Sequence, residues 1–287
     1  MTVSQGATVA LDRAAWFRDK SAMASPPTDS GGQEIALLIL GGTSEAAALA
    51  AHVASMPDVA ALVSLAGRTS TPRPLALPMR IGGFGGAAGL AAFLRDNGVK
   101  AVVDATHPFA AIMPFNAEAA CRAAGVKLIA LRRPEWTPVA GDRWHDVPDM
   151  AAAARALGHE PKRVLLTIGR QELAAFAAAP QHRYLARMID EPEAGHGLPD
   201  LTVIRARGPF ALADEIDLMR GEAVDTVVAK NAGGSATEAK LAAARALGLP
   251  VVMVARPAKP DVPVVETVEA AIGWLKDHGI LPTERGV

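Results

Sequence analysis

The chain is predicted to be an α/β protein built as two Rossmann-like open parallel-sheet domains with an interdomain cleft. Three observations carry that expectation. Short apolar runs suited to buried parallel strands alternate with alanine-rich stretches suited to helices, and the alternation is run through twice. The first run, residues 35–40 (IALLIL), is closed at once by Gly41-Gly42-Thr43-Ser44-Glu45 and a helical stretch, which is how a strand delivers its backbone into a helix N-terminus. Between the two alternations Pro134, Pro138 and Pro148 break the rhythm, together with Trp136 and Trp144.

Taken in order, the first half reads as a strand at 35–40, a helix at 44–54, a strand at 61–67 and a short segment at 79–81. A helix at 87–97, a strand at 101–106, a helix at 110–124 and a strand at 127–131 complete it. This is a domain over 35–133, with a crossover at 134–148 and a second α/β domain over 149–287. In the second half helices are expected at 149–157, 172–178, 212–219 and 237–247, with strands at 163–169, 183–189, 202–208, 225–230 and 251–256. A final helix at 268–278 has a pattern that allows packing on either domain. No fixed-period repeat relates the halves. Residues 1–34 hold no sustained apolar run and end in SPPTDSGGQ before Glu34, so they read as a flexible extension without signal-peptide or membrane-spanning character. The expected location is the cytoplasm.

With 287 residues, half of them apolar and only 4% aromatic, the chain can bury two medium cores of alanine and valine. A formal net charge of −1 offers no general attraction to nucleic acid or to a membrane surface. The single cysteine, Cys121, falls in a helical pattern, where a buried structural thiol is the expectation, and it permits neither a disulfide within the chain nor a cysteine metal site.

The Gly41–Gly42 turn leaves amide N–H groups at the positive end of a helix dipole, a site for phosphate. It lacks the G-x-G-x-x-G spacing, and a βα turn needing glycine for its own geometry explains it as well. After the second strand comes Ala66-Gly67-Arg68-Thr69-Ser70; an arginine there, rather than an acid, accommodates the 2′-phosphate of NADP, and an exposed loop arginine is the alternative. Four glycines around Phe84, Gly83 among them, give the helix at 87–97 an entry that a flat ligand could approach. Asp104-Ala105-Thr106-His107-Pro108-Phe109 lies at the carboxyl end of a strand, which in an open sheet faces the ligand crevice. Its threonine and proline also serve a helix start, while His107 can donate, accept or titrate near neutral pH. Two further strand ends, 167–172 with Arg170 and 229–234 with Lys230, place a cation beside glycine and a helix start. Arg132, Arg133, Arg187, Arg205, Arg207 and Arg256 also sit at strand ends, either as surface pairs or around one polyanionic ligand.

In this order and at these spacings, GGTSE, AGRTS, DATHPFA, TIGRQEL, AKNAGG and VVMVARP resemble the precorrin-6A reductase family of cobalamin biosynthesis, from Ile35 to the C-terminus. The resemblance implies NADPH-dependent reduction of one ring double bond in a tetrapyrrole, precorrin-6A, giving precorrin-6B, with no metal required. It implies NADPH held through Gly41, Gly42, Thr43, Ser44, Glu45, Arg68, Thr69, Gly83, Thr106 and Phe109, with His107 and Asp104 as positioning groups between cofactor and substrate. Arg170, Lys230, Asn231, Gly233, Gly234 and Arg256 would face the tetrapyrrole. Ala232 departs from the family, which usually has serine there, and removes one hydroxyl contact. Another NADP-dependent α/β reductase, or a non-redox two-domain tetrapyrrole-binding enzyme, are the competing readings.

Overall fold

A computed structural model describes residues 34–56, 58–67, 73–192 and 195–283. Of the extension expected at 1–34, all but Glu34 lies outside the described residues. The first half runs β1 (Leu37–Leu40), α1 (Ser44–Ala54), β2 (Ala61–Leu65), β3 (Met79–Ile81), α2 (Gly86–Asp96), β4 (Ala101–Asp104), α3 (Met113–Ala124) and β5 (Lys127–Leu131). The second half opens with β6 (Trp144–Val147), α4 (Met150–Ala156) and β7 (Arg163–Thr167), followed by a 3₁₀ segment, Arg170–Ala178. It continues through β8 (Arg183–Met188), β9 (Leu201–Arg205), α5 (Leu212–Gly221), β10 (Thr226–Lys230), α6 (Ala239–Ala246), β11 (Val251–Val254), β12 (Val264–Val265) and α7 (Val268–Asp277).

Two six-stranded sheets result, ordered β12-β5-β4-β1-β2-β3 and β6-β11-β10-β7-β8-β9, and every pairing is parallel. Strands buried on both faces need no alternation, which is why β1, β4 and β11 are unbroken apolar or near-apolar runs, buried at every residue. The two sheets have the same order, and each takes its sixth strand from the segment that follows a crossover: β6 in the second sheet and β12 in the first. After β5 the chain crosses to place β6 beside β11, and after β11 it crosses back to place β12 beside β5.

This exchange is where the structure departs most from the sequence reading. The stretch 134–148 is a crossover that also contributes an edge strand, β6, whose Trp144, His145 and Asp146 are not buried and carry no apolar signal. β12 is two residues long among prolines. The final helix packs on the first sheet: Ala271 and Leu275 are fully buried with Leu37, Ile39, Leu49 and Val63. The expected helix at 172–178 is a 3₁₀ segment that begins at Arg170, and the one expected from 110 begins at Met113, with Pro114 in its first turn. Cys121 is buried against Leu38, Leu90 and Val102, and burial pushes its thiol up to about 12. Among the described residues no helix is long and apolar enough to cross a membrane.

Candidate active site in the interdomain cleft

Each sheet order reverses at one place, between β1 and β4 in the first and between β7 and β10 in the second. Chain connections diverge there and open a crevice at the carboxyl ends of the strands.

In the first sheet the Gly41 N–H donates to the Ser64 carbonyl (2.8 Å), and a Cβ on Gly41 would stand 2.9 Å from Val63 Cγ1. Gly42 has φ 126° and would have open space around a Cβ, so its main chain is uncovered. Thr43 is the N-cap of α1: its Oγ1 accepts from the Ala46 N–H (3.1 Å) and donates to the Ala105 carbonyl (2.9 Å), tying the turn to the end of β4. The amides of Gly42, Thr43 and Ser44 at this helix N-terminus are the donor set that an anionic group would meet.

Asp104 is buried, and its Oδ1 accepts from Thr106 N–H (3.1 Å) and Thr106 Oγ1 (2.7 Å). His107 Nδ1 accepts from the Phe109 N–H (3.1 Å), so the neutral ring carries its proton on Nε2. Lys259, on the returning crossover, donates to the Ala110 carbonyl; burial pushes it down to about 8, against an opposing pull from Asp104. Gly83 lies in a loop gripped by Arg80, which donates to Ser64 Oγ and to the carbonyls of Gly82 and Gly83, each at 3.0 Å, and covers the Phe84 ring at 3.9 Å. Arg68 and Thr69 lie outside the described residues.

The second crevice is an open cleft of about 380 Å³, and His107 reaches it from the first half. Arg170 and Lys230, both expected from sequence, line it, and so do Arg187, Arg207 and Lys240. Lys230 Nζ bonds Glu172 (3.0 Å) and lies 5.1 Å above the Phe109 ring, joining the two halves. Glu172 in turn accepts from the Gly169 N–H and caps the 3₁₀ segment. Arg187 pairs with buried Glu215 and stacks on Phe210 at 3.7 Å. Lys240 and Phe210, which line the cleft, and Glu215, buried behind it against Arg187, escaped the sequence reading, since only the packing of α5 and α6 brings them together.

The other four residues expected to face the substrate, which follow β10 and β11, pack against the first crossover and are not among the residues lining the cleft. Asn231 accepts from Trp136 N–H (2.8 Å) and donates to Trp136 O (3.0 Å). Arg256 donates to the carbonyls of Asn231, Ala232, Arg133 and Pro134. Gly233 and Gly234 have φ 67° and 80°, and a Cβ on Gly233 would fall 1.9 Å from the Pro134 carbonyl oxygen. Ala232 acts through its carbonyl, which also accepts from Arg133 Nε (2.8 Å). Arg133 continues to Glu45 in α1 (2.9 Å). Burial alone would raise the Glu45 carboxyl, but its own backbone N–H and the Arg133 guanidinium outweigh it and the net shift is downward.

Two parallel sheets, with a glycine turn at the switch point of one and cations lining the cleft at the switch point of the other, define the class: a parallel-sheet α/β protein with a cation-lined cleft. The family model described as precorrin-6x reductase CbiJ/CobK matches residues 36–276. The chain is 54% identical to a precorrin-6A reductase of Rhodobacter capsulatus over 88% of its length and 99% of that protein's. It is 50% identical to a precorrin-6A reductase of a Sinorhizobium species, over 86% of this chain and 94% of the relative. A solved structure titled CobK precorrin-6A reductase superposes with a TM-score of 0.82 at 54% identity, covering 88% of this chain and 99% of that one. The chain belongs to the precorrin-6x reductase family.

Proposed function

We propose that this protein reduces precorrin-6A to precorrin-6B in cobalamin biosynthesis, with NADPH as the reductant and the cleft between the two sheets as the place of reaction. The observation that carries the reading is the meeting of the two switch points: the loop after β4 sends His107 into the cleft and Phe109 to Lys230, beside the cationic wall of the second sheet. A macrocycle bearing many carboxylates needs a broad opening with cations on its rim rather than a small closed pocket.

The first crevice suits a dinucleotide. Its turn offers uncovered amides at a helix N-terminus and a glycine at φ 126°, where a phosphate can approach the main chain. Gly41, Gly42, Thr43, Ser44 and Glu45 would form that cradle, with Arg68 and Thr69 at the 2′-phosphate and Gly83, Thr106 and Phe109 along its length. When bound, NADPH supplies a hydride to the substrate. His107, which lines the cleft, serves as a positioning group, and Asp104 holds its loop through Thr106. Arg170 and Lys230 receive substrate carboxylates. Asn231, Gly233, Gly234 and Arg256 serve substrate binding indirectly, by fixing the first crossover to the ends of β10 and β11 behind the cleft.

Anaerobic incubation of the protein with metal-free precorrin-6A and either NADPH or NADH checks the reading. Expected is a product two hydrogens heavier by mass, formed in step with NADPH oxidation and much faster than with NADH. No such product from either cofactor would overturn the assignment of activity, and equal rates would overturn the assignment of NADPH.

A further inference from the structure

Lys240 has no task in the reading above, and its surroundings are costly for an ammonium. It is the second residue of α6, in a stretch otherwise made of alanine, leucine and arginine, and it is only 4% exposed although it lines the cleft. Its Nζ donates to the Thr237 carbonyl at 2.6 Å and lies 4.6 Å above the Trp136 ring. One carbonyl and one π face are thin compensation for a buried group with three N–H donors.

The charged groups facing it come from four different parts of the fold. Arg187 on β8, Arg133 on the first crossover and Lys230 on β10 are cations that oppose its charge, and Glu215 on α5 favours it. Lys230 is itself paired with Glu172, Arg133 with Glu45, and Glu215 spends one oxygen on Arg187. The other oxygen, Glu215 Oε2, is buried without a partner among the described residues. Burial first, and the three cations after it, bring Lys240 down to about 7. A lysine so placed exchanges its proton at neutral pH.

We propose that Lys240 is the proton donor of the reduction: its Nζ gives a proton to the ring carbon adjacent to the one that receives hydride. The inference rests on the activity proposed above. The hydride adds to one carbon of the double bond, the π electron pair moves to the neighbouring carbon, and that carbon takes H⁺ from the ammonium. One C=C becomes CH–CH, NADPH is oxidised to NADP⁺, and Lys240 is left as a neutral amine that water reprotonates after the product leaves. His107, on the wall contributed by the first half, and Lys240, on the second, then border the reacting ring from different sides.

Two measurements on the full chain test this. With [13Cε]lysine labelling of the ligand-free protein, one lysine resonance should titrate near pH 7 and be missing in Lys240→Arg. In single-turnover reduction at saturating precorrin-6A and NADPH, the wild-type rate should fall above neutral pH. Lys240→Met should be slower by about 10²–10⁴-fold and lack that alkaline limb. Lys240→Arg should bind substrate within a few-fold of wild type and be slow as well. The inference is overturned if the resonance that Lys240→Arg removes does not titrate between pH 6 and 8, or if a folded Lys240 variant reduces substrate within about threefold of wild type; Lys259, pushed down to about 8, remains in both proteins. If the Met variant does not fold, the Arg variant and the wild-type titration decide. Absence of turnover by the wild-type protein would instead count against the activity itself.

Discussion

His107 is held by its own loop, with Nδ1 committed to the Phe109 N–H, so a side chain that keeps this acceptor should keep the loop. His107→Asn can place an amide oxygen there and should retain roughly a fifth or more of the rate, since one such bond is worth about 1 kcal/mol, with the shape of the pH–rate profile unchanged. His107→Ala loses both the acceptor and the donor and should be slower still. An Asn variant as inactive as the Ala variant would show that His107 does more than position. Arg68→Ala should weaken NADPH binding by about 10- to 150-fold while NADH is little affected, as expected from losing a charge-assisted bond of roughly 1.5–3 kcal/mol to the 2′-phosphate; calorimetric titration with both nucleotides reads the difference. The residues of this first crevice were legible in sequence because a glycine turn and a strand-end motif announce themselves within a few positions. Lys240 was not, because α6 reads as an ordinary alanine-rich helix and its lysine as solvent-facing until α5, β8 and the first crossover close over it.

The N-terminal end of α1 shows how an element carries both halves of the site. Thr43 caps the helix and bonds the end of β4, while Glu45 in the first turn reaches Arg133 on the crossover. Thr43→Ala should cost about 1 kcal/mol from the cap alone, read as a lowered urea midpoint without a change in slope, and should also loosen the β4 loop. The sign of the pH dependence follows from the lowered Glu45 pKa. A carboxyl below its ordinary 4.5 adds stability that is fully present above that value and is lost as pH falls through the folded-state pKa. Glu45→Gln should therefore be less stable than wild type at neutral pH, and the gap should narrow as the solution is acidified below pH 4.5. A gap that is constant with pH would mean that the Glu45 charge is not what Arg133 holds. The sequence placed this helix at 44–54 directly after the glycine turn, but not the partner of Glu45, because Arg133 lies 88 residues away on a segment with no regular pattern.

At the scale of the whole molecule the two sheets repeat the same strand order, and the chain returns after β11 to give β12 and α7 to the first sheet, as it crosses after β5 to give β6 and α4 to the second. The alternation of strands and helices made both sheets legible, since buried parallel strands are short unbroken apolar runs. The exchange was hidden, because β6 is a mostly uncovered edge strand and β12 has only two residues, so neither yields a periodic signal. The first crossover is also where Asn231, Gly233, Gly234 and Arg256 do their packing, so the segment that performs the exchange is tied to the ends of β10 and β11. This has a consequence for truncation. A chain ending at Ala258 lacks β12 and α7 and leaves Leu37, Ile39 and Leu49 without the cover of Ala271, Leu275 and Leu281. Burying two leucines is worth about 3–6 kcal/mol, comparable with the whole stability of a small domain. Such a chain keeps β6 through β11, so the second sheet retains all six of its strands. Hydrogen exchange should then show lost protection in β1, β4 and β5 and retained protection in β7 and β10. A chain beginning at residue 158, without β6 and α4, should in contrast leave the second sheet short of its edge strand and lower the protection of β11 first. Equal loss in both sheets on removing the C-terminal segment would mean that the crossovers bind the halves into one cooperative unit, and that neither sheet stands without the other.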